Sequence, residues 1–129
     1  MIIKEYGTEH KETIILLHGG GLSWWNYRDV ADFLQDEYHV ILPILDGHAG
    51  SDRSFTSIEE NVSEIIEFID KDLGGSVLLI GGLSLGGQIL LSFGILPGCL
   101  IIINPAPEKK QGRILNSAFE NSIISPKLL

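Results

Sequence analysis

Between Leu73 and Pro107 the chain carries no charged side chain. An apolar stretch of that length has to be buried, either in lipid or inside protein. The pair Gly82 and Gly86 would suit a GxxxG helix contact in a membrane. However, Gly81-Gly82, Gly86-Gly87, Gly94 and Pro97-Gly98 cut the stretch into short pieces, whereas a spanning helix needs about 20 consecutive apolar residues. The pieces read as a strand from Val77 to Gly82, a helix from Leu85 to about Leu96 and a strand from Leu100 to Asn104. Strands apolar along their whole length belong in a parallel sheet covered on both faces.

The rest of the chain continues this alternation. Ile2 to Tyr6 and Thr13 to Leu17 read as strands, and the second runs into Gly19-Gly20-Gly21. Trp25 to Gln35 reads as a helix, with Val30, Ala31, Phe33 and Leu34 expected to pack on the sheet, and His39 to Pro43 as the next strand. Ile44 to Phe55 is polar and turn-rich, a loop. Ser57 followed by Glu60 is a capping-box signature for a helix reaching about Leu73. Along that helix Ile58, Val62, Ile65, Ile66, Ile69 and Leu73 form one apolar face, opposite Glu59, Glu60, Glu64, Glu67 and Lys71. Gly74-Gly75 stops it. The predicted class is therefore α/β: a mostly parallel sheet flanked by helices, with ligands expected at the carboxyl ends of the strands.

At 129 residues and 44% hydrophobic the chain can build a domain core. Its formal net charge of -8 disfavours a phosphate-binding surface, so no nucleic-acid partner is expected. Cys99, the single cysteine, has no intrachain disulfide partner. The first residues lack the basic and apolar regions of a secretory leader, so the cytoplasm is the expected compartment, with no membrane association.

Two glycine-rich turns fall at the strands' carboxyl edge. Gly82-Leu83-Ser84-Leu85-Gly86 fits G-x-S-x-G, in which a tight strand-to-helix turn lifts the serine hydroxyl above the sheet. The pattern alone is weak, and its specificity comes from the strand before it and the helix after it. Ser84 could instead merely cap that helix. The second turn, His18-Gly19-Gly20-Gly21, gives backbone N–H groups that can approach an oxyanion without side-chain obstruction. Gly20 and Leu85 are the candidate donors; the alternative is a plain connection or an anion nest. His18 itself reads as a brace for its loop. Asp46, His48 and Asp52 could be taken for a metal cluster, but they lack a fixed ligand spacing. Neither turn gives G-x-G-x-x-G or a P-loop, so no nucleotide, metal or other cofactor is expected.

The order and separation of "LLHGGG", "PILDGHAGSD" and "LIGGLSLGGQ" resemble the α/β-hydrolase family over about residues 13–107. That resemblance implies a three-layer sandwich, Ser84 as nucleophile, and the N–H groups of Leu85 and Gly20 as oxyanion donors, with Gly21 a less favoured second donor. The segment Gly47 to Asp52 resembles the family's loop after its fourth strand, with Ala49 where glycine is usual, and is carried over as structural. Gly21 and Trp24 are the candidate substrate-binding residues. Trp24, Trp25 and Tyr27 would shape a pocket beside the turn or simply pack in the core.

The family's order places an acid and then a histidine after the serine. Neither His nor Asp follows Ser84; His10, His18, His39 and His48 all precede it. Residues 1–129 are thus expected to form one incomplete domain that stops after the family's sixth strand, with 108–129 as a tail carrying a possible helix near Ile114 to Ser122. An open sheet edge at Leu100 to Asn104 would then need a dimer, the tail or a partner to cover it, and a homo-oligomer is expected. The expected activity is hydrolysis of a small ester or similar acyl substrate, with the base missing unless His48, His18 or another chain supplies it. The competing reading is a non-catalytic binding module on the same fold.

Overall fold

A computed structural model describes residues 1–93, 100–104 and 123–124. Six strands form one sheet: β1 (Ile2–Tyr6), β2 (Thr13–Leu17), β3 (His39–Ile44), β4 (Leu79–Leu83), β5 (Leu100–Asn104) and β6 (Ile123–Ile124). Their order across the sheet is β1-β3-β2-β4-β5-β6. β3, β2, β4 and β5 run parallel, while β1 and β6 pair antiparallel at the two edges.

The central strand shows why the apolar runs are continuous. All five residues of β2 are buried, and their side chains alternate between the faces. Ile15 and Leu17 join Ile41, Ile80, Val62, Ile65, Ile69, Ile89 and Leu90 on one face, covered by α2 (Ile58–Asp72) and α3 (Leu85–Leu91). Ile14 and Leu16 join Val40, Leu42 and Ala31 on the other, under α1 (Arg28–Leu34). The molecule therefore has three layers. The crossover through α1 leads from β2 to β3 on one side, and that through α2 returns to β4 on the other. The carboxyl end of β2 is thus the topological switch point, where an open α/β sheet leaves a crevice.

α2 follows the sequence reading closely. Ser57 caps it by accepting the Glu60 N–H at 3.1 Å, and Val62, Ile65 and Ile69 are buried with Ile58, Ile66 and Leu73 packed beside them. α1 departs from it. A 3-10 turn occupies Trp24–Tyr27, and the α-helix starts only at Arg28. Ala31 is buried and Leu34 packs against the core, but Val30 is 43% and Phe33 81% exposed, which corrects the expectation that all four face the sheet. Both pairs are spaced i, i+3 on adjacent stripes, and a seven-residue helix can seat only one of them.

The edge at β5 is paired over two residues, Ile101 with Ile124 and Ile102 with Ile123. Of the covers considered for that edge, the tail therefore supplies one over these two residues. The possible helix at 114–122 and the last turn of the helix after Ser84 lie outside the described residues. Among the described residues no helix is long and apolar enough to cross a membrane.

Candidate active site

Strand pairing fixes the neighbours of the two glycine-rich turns. Leu17 lies opposite Gly82 in the parallel pair of β2 and β4, so the chain leaves both strands side by side at the same edge. Gly86, in the first turn of α3, lies so near β2 that a Cβ there would overlap the Leu17 carbonyl oxygen. A Cβ on Gly82 would come within 2.5 Å of the Gly86 carbonyl. Both glycines of the motif are therefore required by close backbone approach, and they press α3 against the sheet.

Between them, Ser84 has φ 52° and ψ -108°, and it is the single non-glycine residue with positive φ among the described residues. Such a backbone costs about 1–3 kcal/mol and persists only where the surroundings enforce it. Ser84 makes no side-chain capping bond to α3, and an N-cap serine would have extended backbone instead. Capping therefore does not explain this residue. Its half-buried side chain makes no hydrogen bond among the described residues.

The turn after β2 lies directly against it. A Cβ on Gly19 would touch Ser84 Cβ and the Leu83 carbonyl oxygen at 3.5 Å, and one on Gly20 would sit 3.8 Å from Leu85 Cβ. Leu22 N–H donates to the Gly19 carbonyl at 3.2 Å, closing a four-residue turn whose third member, Gly21, has φ +77°, as a type II turn demands. Gly20 and Gly21 are exposed, and their N–H groups meet no acceptor among the described residues. The Leu85 N–H, first in α3, has no intrahelical acceptor either. The sequence-predicted Ser84, Gly20, Gly21 and Leu85 thus converge. Trp24 packs, partly buried, on the Ile14, Leu16 and Val40 cluster, with the Lys4 ammonium 5.4 Å from its ring centroid, while Trp25 is 48% exposed.

A third loop, after β3, supports the turn from behind. Leu45 N–H donates to His18 Nε2 at 3.1 Å, which makes Nδ1 the protonated nitrogen; Nδ1–H donates to the Gly19 carbonyl at 2.9 Å. The ring is fully buried, and burial lowers its pKa, which favours the neutral form that the Leu45 N–H contact requires. Its edge meets the His48 ring, with centroids 5.0 Å apart. Beyond the glycines, the buried Ser23 hydroxyl donates to the Ala49 carbonyl at 2.6 Å. Asp46 is 2% exposed; Arg53 Nε lies 3.7 Å from its Oδ2, and Arg53 also pairs with Glu60 and Glu64. Asn61 from α2 accepts the Asp46 N–H at 3.2 Å. Ser23, Arg53 and Asn61 were not singled out by sequence reasoning, because their partners are backbone groups or carboxylates distant in the chain.

The four histidines are placed as follows. His10 lies 3.6 Å from Glu9, His39 bonds Glu5 at 2.7 Å, His48 Nδ1 lies 2.9 Å from the Asp46 carbonyl, and His18 has both nitrogens engaged. None of them bonds the Ser84 hydroxyl. Among the described residues no three His, Cys, Asp or Glu side chains are grouped to hold a metal ion. The arrangement can present a serine hydroxyl beside unpaired N–H groups in surroundings to which β4 and α3 add no charge.

With that geometry in place, comparison defines the class. The sequence matches the alpha/beta hydrolase family over residues 14–126, and the chain belongs to that family. Among solved structures it is similar to a thermophilic esterase from Thermogutta terrifontis (25% identity, TM-score 0.64), covering 71% of this chain and 34% of that one. It is likewise similar to a serine hydrolase from the polyaromatic hydrocarbon-degrading bacterium Cycloclasticus zankles (27%, TM-score 0.64), covering 70% and 35%. A monoacylglycerol lipase from Paleococcus ferrophilus (26%, TM-score 0.62) aligns over 71% and 36%. The chain thus spans about a third of the length of these structures. No curated protein sequence matches it.

Proposed function

We propose that this chain carries the nucleophile and oxyanion cradle of a serine hydrolase acting on a carboxylic ester or similar small acyl substrate. The observation that carries the reading is the enforced positive φ at Ser84 beside the Gly19–Leu22 turn. Ser84 Oγ attacks the acyl carbon, the ester C–O bond breaks, and the alcohol leaves with a proton. Water then cleaves the acyl-serine to release the acid. The N–H groups of Gly20 and Leu85 hold the oxyanion of each tetrahedral intermediate, with Gly21 as a further donor. The esterase and lipase named among the similar structures support this substrate class.

The Ser84 proton needs an acceptor, and neither His nor Asp follows Ser84 in the sequence. Since no histidine bonds its hydroxyl, a second reading is favoured by a specific observation: a non-catalytic module that keeps the cradle for binding. Treating the chain with a fluorophosphonate and a short activated ester, alongside Ser84→Ala, separates the two. Expected is an adduct on Ser84 that the variant lacks, forming slowly for want of a base, with ester turnover about 10⁶-fold below that of an enzyme with a complete triad. Equal signals from both proteins would overturn the hydrolase reading.

A further inference from the structure

The turn beside Ser84 is pinned at both ends to one loop. Before the glycines, His18 Nε2 takes the Leu45 N–H; after them, the Ser23 hydroxyl reaches the Ala49 carbonyl. The two pins differ in kind, since the serine bond is indifferent to pH while the histidine bond requires an unprotonated Nε2.

We propose that His18 is a positioning residue and an acid-sensitive latch: as its neutral Nδ1–H tautomer it fastens the Gly19–Leu22 turn to Leu45, and protonation of the ring releases that turn from beside Ser84. A proton on Nε2 would face the Leu45 N–H donor to donor, in a site with no exposure to water. The bond would be lost and a charge left buried. The Gly19 carbonyl, which accepts from both His18 Nδ1–H and Leu22 N–H, carries the change into the turn.

The charged and titratable groups around the ring offer it little compensation. The loop after β3 brings His48, whose positive form would repel a charged His18. It also brings Asp46, whose carboxylate is turned to Arg53. α2 brings Glu60 and Glu64, both closed on Arg53. β4 and α3 bring no charge. The functional meaning of the latch rests on the oxyanion reading above, but the latch itself is measurable without turnover.

The test is a pH titration of the isotopically labelled 129-residue chain by NMR. Expected for His18 are a protonated Nδ1 and a bare Nε2 at neutral pH. On acidification, the Leu45, Gly20 and Gly21 amides should shift with one midpoint, that of His18, while the β2 amides hold. His18→Gln keeps an acceptor for the Leu45 N–H without a titrating ring, so it should retain Leu45 protection and abolish the coupled shift. An Nε2–H tautomer, glycine amides that ignore the His18 midpoint, the same shift in His18→Gln, or loss of the whole fold at that midpoint would each overturn the latch. None of these outcomes depends on whether fluorophosphonate labels Ser84, so failure of the latch and failure of the hydrolase reading remain distinguishable.

Discussion

The two turns that meet at the switch point are held by different forces. At Ser84 the backbone is set mainly by close contact: Gly82 and Gly86 remove the side chains that would keep β4, α3 and β2 apart, the Ser84 carbonyl accepts the Gln88 N–H at 2.9 Å, and the serine side chain contributes no bond. At His18 the backbone is fixed by an imidazole that accepts one hydrogen bond and donates another and, beyond the glycines, by a hydroxyl. Contact is insensitive to pH and intolerant of one added methyl; hydrogen bonding tolerates small changes of shape but depends on protonation. A site built from both can have a rigid serine turn beside an adjustable glycine turn.

The largest test of that contrast is Gly86→Ala. The new Cβ would meet the Leu17 carbonyl, which is central-strand backbone and cannot swing aside. Overpacking of this kind costs about 3 kcal/mol, and denaturant unfolding should show it as a lower midpoint. A loss under about 0.5 kcal/mol, the size of an ordinary surface change, would show that contact does not set the Ser84 turn.

How much of this was legible in the sequence follows the same division. Contact-driven features leave local signals: Gly82 and Gly86 flank Ser84 at fixed offsets, and α2 declares itself through Ser57 and its apolar face. The parallel pairing of the inner strands follows from alternation, because parallel strands require crossovers. Features held by hydrogen bonds to distant backbone leave none. The bond from Leu45 to His18 joins residues 27 apart, so the sequence marked His18 as a loop brace without showing what it braces against. The position of Asn61 against Asp46 was equally hidden. Short helices are ambiguous for another reason, since Val30 with Phe33 and Ala31 with Leu34 offered equivalent stripes until the sheet chose one.

The hydrogen-bonded side of the contrast should appear in acid. Burial holds the His18 pKa below its ordinary 6.5 in the folded chain, so the unfolded chain binds this proton more readily. Its contribution to stability is therefore complete above about pH 6.5 and is lost as pH falls below that value, by at most about 1.4 kcal/mol per pH unit. Loss ends once the folded ring is itself protonated. Urea unfolding of the chain and of His18→Gln between pH 7 and 5 isolates the effect, because other groups titrate alike in both. Parallel stability curves for the two proteins would remove His18 from the account.

The smallest expected effect has the opposite sign. Ser84 occupies a backbone conformation that a residue with a Cβ rarely adopts, and glycine reaches it without steric cost. Ser84→Gly should therefore relieve strain of about 1–3 kcal/mol, offset by the roughly 0.5–1 kcal/mol that glycine's greater freedom in the unfolded chain costs. The net expectation is a gain of about 1 kcal/mol in stability, together with complete loss of fluorophosphonate labelling. Ser84→Ala, which keeps the Cβ, should lose labelling without that gain. If the two variants unfold at the same denaturant concentration, the positive φ at Ser84 stores no strain, and the turn is held by something other than close contact.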